Sequence, residues 1–222
     1  MTRVLIVDDD DLMRAGLAEL LAVDHTIHVV GEAADGREAV RLTARLAPDV
    51  VLMDVRMPDL DGIEATRQLA TAAPNAKALI LTTFEDDAYV FGALRAGASG
   101  FLLKRTRPEE LIAAVHTIAA GESLLSPSVT RLVIDRAARE STPGPADTSK
   151  LDALTPRERD VLGALAQGMS NREIASALFV EESTVRTHVK RVLMKLQLRG
   201  RVQAVIFAYE NGIMQPRSAS AS

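Results

Sequence analysis

The stretch VVLMDVRMPDLDG (residues 50–62) opens with four apolar side chains, Val50–Met53, and closes that run on an acid, Asp54. Unbroken apolar strands belong to sheets covered on both faces; a strand with one wet face would alternate. Four further short runs are apolar or nearly so: Val4–Val7, His28–Ala33, Ala78–Leu81 and Gly100–Leu103. Between them, apolar residues recur at helical spacing. Leu12, Leu17, Leu20 and Leu21 mark the first helix, Ala39, Val40 and Leu46 the second, and Ile63, Ala65 and Leu69 the third. Val90, Ala93 and Leu94 mark the fourth, and Leu111, Ile112, Val115 and Ile118 the fifth. Five strand–helix repeats predict an α/β fold: a doubly wound, flavodoxin-like, five-stranded parallel sheet.

Beyond this region the pattern is helical only. Pro127–Arg139 reads as a helix, and ESTPGPADTSK (Glu140–Lys150) as a polar linker rich in Pro, Gly, Ser and Thr. Thr155-Pro156-Arg157-Glu158 and Ser170-Asn171-Arg172-Glu173 are capping boxes that open two helices. Further helices are expected from about Glu182 to Leu196 and from about Arg201 to Asn211. The chain is therefore read as one domain over residues 1–122, a helix and linker over 123–150, a smaller all-α domain over 151–214 and a flexible tail over 215–222.

Composition excludes several classes. The 222 residues contain no cysteine, so disulfides, thiolate metal sites and cysteine nucleophiles are absent. No apolar run approaches the roughly 20 residues of a membrane span, and the chain is read as cytoplasmic with no membrane partner. The net charge of −4 is unevenly spread. Residues 1–122 carry 12 Lys+Arg against 20 Asp+Glu, whereas residues 151–222 carry 10 against 7. An acidic part joined to a mildly basic part suggests two jobs.

Open parallel sheets bind ligands beyond the carboxyl ends of their strands. Asp8 and Asp9 follow the first strand, Asp54 the third, Thr82 the fourth and Lys104 the fifth. Three carboxylates, a hydroxyl and an ammonium suit a hard divalent cation, Mg²⁺ or Mn²⁺, together with a phosphoryl group. Taken singly, each has a plainer reading: Asp8–Asp11 as a solvated acidic turn, Asp54 as a loop cap. Their joint placement at strand ends favours the pocket.

VLIVDDDDLMR (4–14), VVLMDVRMPDLDG (50–62), LILTTF (79–84) and GASGFLLK (97–104) resemble, in order and spacing, the signature of receiver domains of two-component response regulators. The resemblance implies that Asp54 accepts phosphate from a histidine kinase. It makes Asp8, Asp9, Asp54 and the backbone carbonyl of Arg56 metal ligands, directly or through water. Thr82 and Lys104 would bind the phosphoryl group, and Phe101 would be the aromatic of a switch. Arg105 stands where many receivers carry proline.

In the helical part, Arg186, Thr187, Lys190 and Arg191 are expected to face out from the third helix, with Lys195 further on. A basic outer face near a helix N-terminus suits the major groove. On charge alone it suits a solvated face as well. Residues 154–213 resemble the NarL/LuxR-type helix-turn-helix, through Glu158, Gly168, Glu173-Ile174-Ala175, Thr184-Val185, Lys195-Leu196 and Arg201 among others. This implies Arg186, Thr187 and Lys190 as base readers, and Ser170, Asn171, Thr184 and His188 as phosphate contacts on double-stranded promoter DNA. His188 also reads as a packed histidine. Glu181 is a weak helix cap and would repel phosphate. The subfamily implies a homodimer on DNA through the last helix, with Val202, Val205 and Ile206 as contacts, although these suit bundle core equally.

Two rival functions use the same residues. An aspartate-dependent phosphatase shares the acidic site, but usually carries a second acid two residues after the nucleophile, where this chain has Arg56. A receiver-like domain controlled by a ligand or partner would typically lose pocket acids or the lysine, which this chain keeps. The enzyme reading is therefore set aside, apart from self-phosphorylation and self-dephosphorylation.

Overall fold

The computed structural model describes residues 1–83, 87–121, 148–211 and 213, without the side chains of 87, 88 and 148–150. The chain divides into two compact units, Met1–Leu124 and Leu125–Ser222. In the first, β1 (Thr2–Val7), β2 (Ile27–Ala33), β3 (Val50–Asp54), β4 (Lys77–Thr82) and β5 (Gly100–Leu103) alternate with α1 (Asp11–Ala22), α2 (Gly36–Leu46), α3 (Gly62–Ala72), α4 (Asp87–Ala96) and α5 (Pro108–Ala119). The strands form one parallel sheet in the order β2-β1-β3-β4-β5. The order reverses at β1, so the carboxyl ends of β1 and β3 flank the crevice that doubly wound sheets offer to ligands.

Strand alternation sorts the core into two layers. Val4, Ile6, Val50, Leu52, Leu79 and Leu81 pack with Leu17 and Leu21 of α1 and with Leu111, Val115 and Ile118 of α5. Leu5, Val7, Val51, Met53 and Ile80 take the opposite sense along their strands and are equally buried. The second layer is closed by backbone approach as well as by side chains. A Cβ on Gly62 would lie 1.8 Å from the carbonyl oxygen of Asp54, and one on Gly36 would lie 2.4 Å from that of Leu60.

Helix starts explain several acids. Asp10 accepts from the N–H groups of Leu12 and Met13, Asp35 from that of Glu38, and Asp61 from that of Glu64. Each is an N-cap, so Asp10 and Asp61 serve the backbone. Leu12, expected on the core face of α1, is 82% exposed. It lies five residues before Leu17, about 140° round the helix. Met13, four residues before Leu17, packs against the core instead.

Among the described residues, the second unit holds a 3-10 turn, Thr148–Ala153, followed by α6 (Pro156–Ala166), α7 (Asn171–Leu178), α8 (Glu182–Lys195) and α9 (Arg201–Glu210). The turn starts inside the stretch read as linker, and Leu154 just after it is buried. The helix expected over Pro127–Arg139, the rest of the linker and the tail from residue 215 lie outside the described residues. Both capping boxes form as the sequence predicts. Phe179 caps α7 in the left-handed region with φ 55° and turns the chain toward α8. Glu181 caps α8 without a side-chain hydrogen bond to its backbone. Val202, Val205 and Ile206 are all under 5% exposed, which places them in core.

Two glycines give opposite expectations. Gly16 lies on exposed α1 with nothing within 4 Å of a built Cβ. Gly16→Ala should therefore raise stability by about 0.5–1 kcal/mol. Gly62→Ala should cost about 1–3 kcal/mol, because the intruding methyl meets backbone. Urea denaturation of the two variants beside the parent chain checks both signs.

Candidate functional site

Residues at the carboxyl ends of β1, β3, β4 and β5 meet at one sheet edge. Register sets their depth: Val7 pairs with Met53, Asp54 with Leu81, and Thr82 with Leu103. Asp8, Asp54 and Thr82 are all buried. Lys104 reaches in from the β5–α5 loop, its own N–H donating to the Thr82 carbonyl at 2.8 Å. Its Nζ lies 2.6 Å from Asp8 Oδ2 and 3.2 Å from Asp54 Oδ1.

The electrostatics follow from burial. Losing water raises the Asp54 carboxyl above its ordinary value; the Lys104 charge pulls it down and the Asp8 charge adds to the rise. Burial alone would lower Lys104. The hydrogen bond to Asp8 and the charges of Asp54 and Asp8 outweigh it, so the ammonium is held more firmly than usual.

Asp8, Asp9 and Asp54 each bring a carboxylate oxygen to within 4.8 Å of the others. Three carboxylates against one ammonium leave two negative charges uncompensated when all are ionised. That donor set, all hard oxygen, fits a divalent cation such as Mg²⁺.

Other groups position this set. Arg14 donates from Nη1 to the Asp8 carbonyl at 2.7 Å and pairs with Asp11 and Glu32. Gly62 lets α3 start against the Asp54 carbonyl, and its N–H donates to Val55. Beside the acids lies an open cleft lined by Asp9, Arg56, Met57, Pro58, Asp61 and Tyr89. The Arg56 guanidinium stands over the Tyr89 ring, 5.4 Å from its centre. Phe101 pairs in register with Ile80 and is buried. Sequence reasoning did not single out Arg14, Gly62 or Tyr89. The Asp61-Gly62 turn was the one visible signal; the other two make contacts that no local pattern encodes.

In the second unit, Arg186, Thr187, Lys190 and Arg191 are exposed on α8. Arg186 pairs with Glu182 at 3.1 Å, and Thr187 donates to the Ser183 carbonyl. Thr184 and His188 are half-buried, and the His188 Nδ1 is buried without a hydrogen-bond partner. Ser170 is exposed within its capping box, and Asn171 is bonded to Arg201.

Lys195 departs from the expected outward row. Its Nζ lies 2.6 Å from Oε2 of Glu158, a buried carboxylate that also accepts from the Thr155 N–H at 2.8 Å. One carboxylate thus closes the capping box of α6 and ties down the last turn of α8. The Lys195 ammonium and the Thr155 N–H hold the Glu158 carboxyl at about 2, against an ordinary value of 4.5.

Comparison with known proteins identifies the family of each unit. Residues 4–116 match the response regulator receiver domain, and residues 152–208 match the luxR family of bacterial regulatory proteins. The chain belongs to the two-component response regulators and is a DNA-binding transcription regulator with a LuxR-type helix-turn-helix. It is similar to the transcriptional regulatory protein YxjL of Bacillus subtilis, with 44% identity over 213 residues, 96% of this chain and 97% of that protein. Among solved structures it is similar to response regulator ChrA of a heme-sensing two-component system, with 37% identity and a TM-score of 0.52 over 96% of this chain and 98% of that one. It is also similar to response regulator RcsB in a DNA complex, with 25% identity and a TM-score of 0.54 over 94% and 98%. Among the described residues, no helix is long and apolar enough to cross a membrane.

The Glu158 pair makes a pH prediction. A carboxyl lowered by folding contributes stability that is present above 4.5 and is lost as pH falls toward 2. Glu158→Gln should be less stable than the parent at pH 7 and lose less stability than the parent between those two values. Thermal melts across that window, read by circular dichroism, check the crossover.

Proposed function

We propose that Asp54 accepts a phosphoryl group from a histidine kinase and that this modification controls sequence-specific binding of promoter DNA by the second unit. The observation that carries the reading is the pocket itself. Asp54 is buried beside Asp8, within 3.2 Å of the Lys104 ammonium, and within reach of a metal shared with Asp9. A free Asp54 oxygen attacks phosphorus, a P–O bond forms, and the P–N bond to the kinase histidine breaks. Mg²⁺ or Mn²⁺, held by Asp8, Asp9, Asp54 and the Arg56 carbonyl, would neutralise charge on the transferring group.

Lys104 then exchanges a carboxylate partner for phosphoryl oxygens, and Thr82 offers its hydroxyl. The product carries about 1.5–2 negative charges where the free side chain carried one. Thr82 and Phe101 are both buried; in this reading Thr82 is drawn toward the phosphoryl group, Phe101 turns into the space it vacates, and the face formed by α4, β5 and α5 changes shape. Phosphate acts by favouring one of two packings.

On the DNA side, Arg186, Thr187 and Lys190 are assigned to base edges. Arg191, Ser170, Asn171, Thr184 and His188 are assigned to the backbone. Two copies on DNA would read half-sites one helical turn apart. With Val202, Val205 and Ile206 buried, other groups supply the contact between copies. The reading places the protein in the cytoplasm, where kinase and promoter are both accessible.

Incubation with acetyl phosphate and Mg²⁺ should add one phosphoryl group to the intact chain by mass spectrometry and none to Asp54→Asn. A parent chain that stays unlabelled while another receiver is labelled would overturn the phosphoacceptor assignment. Arg186→Ala and Lys190→Ala should each weaken specific DNA binding by about 1–3 kcal/mol. Unchanged footprints for both would remove α8 from the groove.

A further inference from the structure

Two of the proposed backbone contacts adjoin each other, Ser170 as the cap of α7 and Asn171 as its first residue, but their hydrogen bonds differ. The Ser170 hydroxyl accepts from the Glu173 N–H at 3.2 Å and donates to Glu173 Oε2 at 2.7 Å, while the Ser170 N–H donates to the same Oε2 at 2.6 Å. Both Ser170 donors are therefore committed to the capping box. Asn171 is held from the other side. Its Oδ1 accepts from Arg201 Nη1 at 3.3 Å, thirty residues away at the start of α9.

A guanidinium only donates, so it selects the oxygen of an amide and turns the NH₂ away. Among the described residues no acceptor takes that NH₂, and the side chain is half-buried with its nitrogen not fully enclosed. Arg201 also brings its positive charge near Glu173, and burial leaves the guanidinium titrating at about 10, still charged at neutral pH.

We propose that Arg201 is a positioning residue of the DNA interface: by holding the Asn171 oxygen it presents the Asn171 NH₂ to a backbone phosphate, and it offsets the charge of Glu173 there. The proposal rests on the DNA-binding reading above and deepens it. It divides the pair at the start of α7, giving the phosphate to Asn171 and leaving Ser170 as a cap. It also gives Arg201 a part in binding without contact with DNA. Arg201→Lys keeps the charge but replaces a planar fork with a single ammonium on a shorter stem.

The test uses the full chain and a random-sequence DNA duplex, because phosphate contacts do not depend on sequence. Affinity is measured over a range of salt concentrations for the parent, Asn171→Ala, Arg201→Lys and the double variant. The Asn171 amide is uncharged and releases no counterion, so losing its phosphate contact weakens binding about three- to tenfold at each salt concentration while the slope of log K against log salt stays parental. We expect this loss of affinity in Asn171→Ala, nearly the same loss in Arg201→Lys, and no further loss in the double variant. Additive effects, or parental affinity in Arg201→Lys, overturn the proposal.

Asn171→Asp supplies an arm that leaves Arg201 in place, should Arg201→Lys fail to fold by circular dichroism. It retains oxygens for the guanidinium and removes the NH₂. It should keep at least the parental Tm and bind duplex more weakly; a lowered Tm or an unchanged affinity overturns the proposal. A parent chain with no salt-dependent binding to duplex would instead overturn the DNA-binding reading itself.

Discussion

The ammonium of Lys104 lies between two buried carboxylates, 2.6 Å from Asp8 and 3.2 Å from Asp54. Two acids this deep repel each other and lose hydration, and truncating a shared cation in such a place typically costs several kcal/mol. The sheet provides the geometry. With β1, β3, β4 and β5 adjacent and parallel, their carboxyl ends deliver Asp8, Asp54, Thr82 and Lys104 to one edge. Arg14 at the Asp8 carbonyl and Gly62 beneath the Asp54 carbonyl hold the two acids in place from outside the pocket. The same ion pair makes the site responsive, because any anion added to Asp54 competes for the Lys104 charge.

A second carboxylate organises the other unit. Glu158 joins the first turn of α6 to the last turn of α8 through Thr155 and Lys195, while Arg201 joins α9 to α7 through Asn171. Small helical bundles have little core to spare, and these polar ties fix helix orientations that apolar contacts leave loose. The outer row of α8 is then divided by role. Arg186, Thr187, Lys190 and Arg191 are exposed, Arg186 while paired with Glu182, and the Lys195 ammonium is bound to the buried Glu158.

Much of this was legible from residue order. Apolar runs that end on Asp54, or are followed directly by Asp8 and Lys104, declare both the buried strands and the edge where a site belongs. Short-range caps were equally readable, since Thr155–Glu158 and Ser170–Glu173 act within one turn. Leu12 misled because it lies about 140° round α1 from the buried Leu17, while Met13 beside it takes the core-facing place. Lys195 misled for a different reason. Its partner lies 37 residues earlier in the chain, and a lysine on a helix next to other basic residues looks the same whether it faces DNA or a buried acid. Arg201 and Arg14 stayed hidden on the same ground: their roles are hydrogen bonds between elements distant in sequence.

The central claim is that chemistry at Asp54 governs the DNA affinity of the second unit, and it is tested by one titration. The full-length chain, with Mg²⁺ present throughout, is titrated into a duplex bearing a bound promoter site, before and after treatment with acetyl phosphate, beside Asp54→Asn treated in the same way. The account predicts tighter binding by the phosphorylated parent and no change in Asp54→Asn. Equal affinity of the phosphorylated and unphosphorylated parent, with labelling verified by mass, would contradict it.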